Sequence, residues 1–183
     1  MKVIIISGKS GSGKDTAADF FSEKLQARNL RILNIHFADL VKIYALVYYK
    51  WNGEKDEVGR ALLQKIGTEM MRAYDKDYWA TIVAEFIDAA NDDFDVALIP
   101  DWRFINEYER VCDYNADVYS IRIERYNQDG TEYSNPNMTE QQRNHISETE
   151  LDKFAFDYII ENRGELEDLK DSVDVIIDDI IKE

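Results

Sequence analysis

The sequence predicts an α/β domain built on a mainly parallel sheet, and three observations carry that expectation. Short apolar runs rich in β-branched residues alternate along the chain with longer segments whose apolar positions recur at helical spacing. The first run, residues 3–6 (Val-Ile-Ile-Ile), is apolar at every position, as a strand covered by helices on both faces would be. Only eight glycines and two prolines occur in 183 residues, yet Gly8, Gly11 and Gly13 cluster directly after that run.

The elements follow in order. After the glycines, Ala17, Ala18, Phe20, Phe21 and Leu25 repeat at helical spacing as far as Asn29. A strand is expected over residues 31–36 and a helix over 38–51, broken by Asn52, Gly53 and Glu54. Two more helices are expected over 58–73, with Leu62, Leu63, Ile66 and Met70 on one face, and over 78–90, with Trp79, Ile82, Val83, Phe86 and Ile87 as the buried stripe. Tyr44, Tyr48 and Trp51 share helical spacing and read as core packing. Residues 96–99 form another buried-strand candidate ending at Pro100, with a new element from Asp101, and residues 118–123 alternate as a strand does. Residues 126–144 are polar, hold Asp129, Gly130 and Pro136, and read as a loop or lid. A last strand is expected over 156–160. A closing helix runs from Glu165, its acidic face backed by Leu166, Leu169, Val173, Ile176 and Ile180. Without repeats, low-complexity tracts or linkers, residues 1–183 read as one domain.

Composition narrows the function classes. With 22 Lys+Arg against 37 Asp+Glu the net charge is −15. Such an acidic chain is not expected to bind nucleic acid or an anionic membrane broadly, since both require a cationic face, and any phosphate must be held locally. No apolar run approaches the length of about 20 residues that spans a bilayer. A single cysteine, Cys112, and an N-terminus without a signal-peptide pattern point to the cytoplasm.

Gly8-Lys9-Ser10-Gly11-Ser12-Gly13-Lys14-Asp15-Thr16 fits GxxxxGK between an expected strand and an expected helix. In that context the glycines let backbone amides from Gly8 and from residues 10–16 wrap an anion, the helix N-terminus adds positive potential, and Lys14 reaches the outer phosphates. The implied ligand is a nucleoside triphosphate. Asp15 stands where a hydroxyl would normally face magnesium, with Thr16 one place later; Asp15 either holds a magnesium-bound water or complements the helix dipole. Magnesium is expected because the charge on a transferring phosphoryl group is usually neutralised by it.

The loop GKSGSGKDT resembles that of the nucleoside monophosphate kinase group, in which the lysine is followed by a non-hydroxyl residue and then threonine, as in adenylate kinases. Further along come Phe37-Ala38-Asp39 with Lys42, residues 63–69 (Leu-Gln-Lys-Ile-Gly-Thr-Glu) with Arg72, Asp101-Trp102-Arg103-Phe104 with Asn106 and Glu107, and His145-Ile146-Ser147-Glu148. In that order these resemble the motifs of phage-type deoxynucleoside monophosphate kinases, from about residue 1 to residue 150. The resemblance implies a three-layer P-loop kinase fold with a five-stranded sheet, an acceptor-binding helical region over about 37–92 and a lid over about 126–145. It implies an enzyme moving the γ-phosphoryl group of ATP, with Mg2+, onto a (deoxy)nucleoside monophosphate, as a monomer or homodimer with small-molecule partners. Two departures stand out: Pro100 precedes Asp101 where an apolar residue is more usual, and the lid segment carries no signature.

The roles follow residue by residue. Phosphoryl transfer needs positioning and charge stabilisation, so the informative side chains are cations. The resemblance implies that Arg72 grips the acceptor phosphate, against a surface arginine pairing Glu69 or Asp75. Gln64, Thr68 and Arg72 lie four apart on one helix face, so Gln64 either reads a base edge or faces solvent. Asp101 is assigned to magnesium through water and Arg103 to the phosphates; alternatively Asp101 caps the helix beginning near Arg103. Asp39, with Lys42 beside it, either positions the acceptor or caps the helix starting near Leu40. Arg125 and Arg143 are the arginines expected to act from the lid, with Arg122 on a strand face paired to an acid. His145 reads as a hydrogen-bonding fixture beside Ser147 and Glu148. Two alternatives stay open: a P-loop kinase for another phosphorylated metabolite, of the phosphomevalonate or dephospho-coenzyme A type, and a nucleotide-dependent switch with no acceptor site.

Overall fold

The computed structural model describes residues 1–54 and 56–182, and of Met71 and Arg72 the backbone alone; it places the first apolar run at the centre of a parallel sheet. β1 (Lys2–Ser7), β2 (Ile32–Asn34), β3 (Val96–Trp102), β4 (Val118–Arg125) and β5 (Tyr158–Asn162) pair in the order β2-β3-β1-β4-β5, every neighbour parallel. Between them run α1 (Lys14–Ala27), α2 (Phe37–Tyr49), α3 (Glu57–Gln64), a π-helical turn (Lys65–Met70), α4 (Met71–Tyr74), α5 (Tyr78–Ala89), α6 (Ile105–Tyr114), α7 (Glu140–Arg143) and α8 (Ile146–Thr149) leading into a 3-10 turn (Glu150–Lys153), and α9 (Leu166–Lys182) follows β5.

Alternation along β1 divides the core. Ile4 and Ile6 meet Phe21 and Leu25 of α1 and Val173 and Ile177 of α9 on one face. Val3 and Ile5 meet Val83 and Ile87 of α5 and Val111 of α6 on the other. All four β1 residues are fully buried, and burying a side chain of this size contributes about 1.5–3 kcal/mol. The strand is thereby fixed from both faces, and with it the start of the glycine loop at its carboxyl end. Open α/β sheets bind ligands at that end. A third cluster, Val41, Ala45, Ile66 and Trp79, joins α2, the π turn and α5 into a separate helical wall. Among the described residues no helix is long and apolar enough to cross a membrane.

Several expectations are corrected here. β3 does not stop at Pro100 but runs to Trp102. Opposite β1 the register passes from Ile5↔Ile99 to Ser7↔Trp102, so β3 carries one extra residue there, and such a bulge accommodates a proline that has no ladder donor. The helix expected over 58–73 is interrupted by the π turn. β5 begins two residues later than expected, because Asp157 is fastened outside the strand, accepting from the Ser120 amide at 2.8 Å and its hydroxyl at 2.6 Å. Phe156 turns instead into an aromatic cluster with Trp102 and Phe154. In α9 Leu166 is exposed and Ile177 takes the place in the core expected of it. Tyr48 is 70% exposed rather than packed, although its ring lies 4.6 Å from that of Tyr44.

Candidate active site

The glycine loop bridges β1 and α1, and two of its glycines are required by geometry. Gly13, the N-cap of α1, has φ +95°, and a Cβ there would lie 2.4 Å from Asn162 Nδ2. Gly11 has φ +79°, with the Tyr133 ring 3.0 Å from where its Cβ would be. A bond from Ser12 N–H to the Lys9 carbonyl at 3.0 Å closes the turn, and Asn162 clamps it from β5 by donating to the Ser12 carbonyl at 2.8 Å. The first amides of α1 have no partner within the helix, and a glycine N-cap has no side chain to offer them. The Ser12 hydroxyl is buried without a partner among the described residues. Lys14 is paired at 2.8 Å with Asp15, whose side chain is 87% exposed. So exposed a partner adds little stability and is readily exchanged for phosphate.

The polar segment 126–145 lies over this loop. It starts with an isolated antiparallel bridge between Tyr126 and Glu132 and ends in α7. Arg125 donates to the Gly11 carbonyl at 3.0 Å while its guanidinium lies 4.3 Å from the Tyr133 ring centre. Asn135 donates to the Ser10 hydroxyl at 3.1 Å. Lys9 pairs with Glu132 at 2.9 Å and Asp152 at 3.5 Å; burial pulls the Lys9 ammonium down, but the two carboxylates outweigh it and hold its pKa above the ordinary value. Arg143 donates to the carbonyls of Met138 and Asn135, within the segment itself. Between loop and segment is a cavity of about 310 Å³ whose walls include Lys9, Ser10, Tyr133, Arg143 and Glu148.

A second cavity, about 190 Å³, opens between α2, the π turn and the end of β3. Gln64 and Thr68 both line it, as do Leu63 and Gly67. The wider i→i+5 turn found here is rare and recurs at functional sites. Lys42, Asp101 and Arg103 lie on its other walls. Trp79 also lines it; it is 5% exposed, and its indole N–H has no partner among the described residues. A buried donor left unpaired costs about 1–3 kcal/mol.

Each expected residue can now be placed. Asp101 caps a helix, but not the one expected: its two oxygens accept the Phe37 and Ala38 amides at 2.9 Å each, fixing the start of α2 from across the sheet. The N-terminus of α6 is served by Glu107, which accepts from the Arg103 and Phe104 amides at 2.8 and 3.0 Å. Asp39 sits in the first turn of α2, accepting from the His36 amide at 3.2 Å and pairing with Lys42 at 2.9 Å. Burial raises the Asp39 carboxyl, but Lys42 and His36 outweigh it and keep it below the usual aspartate range. Arg122 is buried on the sheet face with Ser7 and Asp152. His145 accepts from the Ser147 amide at 3.2 Å, as a local fixture does. Arg72 falls in α4, and its side chain lies outside the described residues. Trp79, Tyr133, Asn162 and Glu148 had no site role in the sequence reading. Glu148 had a signal, the His-x-Ser-Glu block; the others depend on contacts between distant segments.

Glu148 joins the two cavities. One of its oxygens accepts the Ser10 amide at 2.8 Å, and the other accepts Arg103 Nη1 at 2.9 Å.

Comparison with known proteins bears on the fold and the family. Among solved structures, the chain is similar to an APS kinase from Mycobacterium tuberculosis in complex with AMPPNP and APS (TM-score 0.54, 11% identity, 100% of this chain and 98% of that one). It is also similar to a dephospho-CoA kinase from Campylobacter jejuni (TM-score 0.52, 14% identity, 100% and 98%). At such identities the likeness shows the P-loop kinase fold alone. The deoxynucleotide monophosphate kinase of Escherichia phage RB69 is 30% identical over 120 residues, covering 64% of this chain and 44% of that protein, so the chain spans under half the length of this curated relative. Residues 33–173 match the family model for deoxynucleotide monophosphate kinase, a stretch of this chain that begins after the glycine loop and takes in both walls of the second cavity. The chain belongs to the deoxynucleotide monophosphate kinase family.

Proposed function

We propose that the chain transfers the γ-phosphoryl group of ATP to a deoxynucleoside monophosphate, giving the diphosphate and ADP. The observation that carries this reading is the placement of Arg103, which lines the second cavity and is linked through one carboxylate to an amide of the glycine loop. A cation there serves two phosphates at once. ATP takes the loop, with Lys14 on its outer phosphates and the residues from Gly8 to Thr16 around them. The acceptor takes the second cavity, its phosphate toward Arg103 and Arg72 and its base toward Gln64, Thr68 and the Trp79 N–H, with Asp39 and Lys42 at the α2 wall.

An acceptor phosphate oxygen attacks the γ-phosphorus as the bond to ADP breaks. That oxygen is already anionic, so no general base is needed, and the protein's contribution is alignment and charge stabilisation. Arg103, with Arg125 from the end of β4 rather than from the lid as expected, and Arg143 from the lid, supplies the positive charge, and closure of the lid excludes water.

Among the described residues no three His, Cys, Asp or Glu side chains gather as a resident metal cage would. The donor set fits instead a magnesium ion that arrives on the triphosphate and keeps most of its waters. Thr16, Asp15 and Asp101 would lie beside it, and each Asp101 oxygen, with one amide bond made, still has a lone pair for a water. The ion supplies neutralisation of the transferring charge.

The test is ADP release from Mg-ATP measured with and without each common deoxynucleoside monophosphate. Turnover that depends on one of them supports the reading. ADP release indifferent to all of them would replace it with a hydrolytic switch.

A further inference from the structure

The bridge made by Glu148 has the chemistry of a bound phosphate. Its two oxygens accept charge-assisted bonds from a glycine-loop amide and a guanidinium, at 2.8 and 2.9 Å, and both donors are of the kind that take up phosphate oxygens. The two side chains are largely shielded, Glu148 11% and Arg103 23% exposed. The carboxylate is also held from behind. The Arg103 guanidinium reaches the Ser147 carbonyl at 3.4 Å, and Glu150 accepts the Ile105 amide at 2.9 Å, tying the turn after Glu148 to the start of α6. In a chain of net charge −15, a carboxylate seated on the phosphate loop opposes any incoming triphosphate. Its amide cannot serve both.

We propose that Glu148 is a positioning residue that stands in for the transferring phosphoryl group in the ligand-free protein. It keeps the Ser10 amide and the Arg103 guanidinium at a spacing that one anion bridges, and the γ-phosphoryl group of ATP displaces it. Displacement passes Arg103, which already lines the acceptor cavity, from the carboxylate to the γ-phosphoryl group, so a loaded donor side leaves one cation facing both phosphates. This inference rests on the donor-site reading above and adds to it a competitor built into the fold.

The experiment is calorimetric titration of AMPPNP with magnesium into the full chain and into Glu148→Gln and Glu148→Asp, each checked for a cooperative thermal transition. Glutamine keeps an acceptor for the amide but removes the charge, so AMPPNP should bind about fivefold to tenfold tighter. Aspartate keeps the charge but falls one methylene short of the bridge, and a smaller tightening is expected. A purely structural glutamate would give weaker or unchanged binding in both variants, and that result overturns the proposal while leaving the kinase reading in place. Absence of AMPPNP binding to the unmodified chain would remove the donor site and this inference with it. Should Glu148→Gln fail to fold, Glu148→Asp decides: tighter binding supports the proposal and unchanged binding overturns it.

Discussion

Lys14, Trp79 and Gly13 have separable jobs. Lys14 rests against a water-exposed aspartate, so it supports the fold little, and the proposed reading gives it the triphosphate. Lys14→Ala is expected to lower turnover by about 10²–10³-fold, the usual loss when a charge-stabilising group is removed, with an unchanged thermal transition; near-normal ADP release would contradict the loop assignment. Trp79 buries an N–H that nothing in the described protein accepts. Trp79→Phe keeps the ring and deletes the donor, and should raise the acceptor KM about fivefold to tenfold while leaving the KM for ATP alone. Equal effects on both would point to lost packing instead. Gly13 combines φ +95° with a Cβ position 2.4 Å from Asn162 Nδ2. Gly13→Ala therefore pays for the left-handed conformation, about 1–2 kcal/mol, and pushes out the side chain that clamps the loop. A lowered Tm together with weakened ATP binding is the expected outcome.

At the scale of elements, the α2 wall of the second cavity is held by long-range capping. α2 begins where it does because Asp101, on β3, accepts its first two amides. Loss of such a cap costs about 0.5–2 kcal/mol, so Asp101→Ala should lower the Tm and raise the acceptor KM as α2 frays. Asp101→Asn separates the two jobs of this residue. One amide acceptor remains and the charge is gone, so a shifted magnesium requirement at a nearly normal Tm would assign its weight to the metal, whereas a lowered Tm with an unchanged requirement would assign it to the helix. The π turn acts at the same scale. Its Gly67 and Thr68 line the same cavity as Leu63 and Gln64 at the end of α3.

Across the whole molecule, carboxylates held ionised by partners in the fold make stability sensitive to low pH. The Asp95 carboxyl is held down to about 2 by bonds from Arg31. Asp77 is lowered by Arg110 and Asn106, and Asp129 by Thr131. A depressed carboxyl contributes stability in full above its unfolded value of 3.8 and loses it as pH falls through the folded value. Thermal melting should therefore change little from pH 7 to about 5 and fall steeply between about 4 and 2. Asp95→Asn should flatten part of that fall; an undiminished fall would show that this pair contributes nothing to acid sensitivity.

The alternation of strands and helices, the parallel sheet and the GxxxxGK loop were all legible in the sequence, because each depends on local periodicity or on residues adjacent in the chain. The ordered blocks around Gln64, Asp101 and Ser147 likewise pointed to the family. The chain's order alone did not say that β3 runs through Pro100, since the bulge that permits it is a property of pairing with β1. Nor did it say that Asp101 serves α2 rather than α6, that Trp79 leaves its N–H without a partner among the described residues, or that Glu148 spans from the glycine loop to Arg103. Those facts join residues 64 and 138 positions apart in the chain for Asp101 and Glu148. Local pattern fixes which face of an element is buried, whereas the partner of a polar group is decided only when distant segments pack together and water is excluded between them.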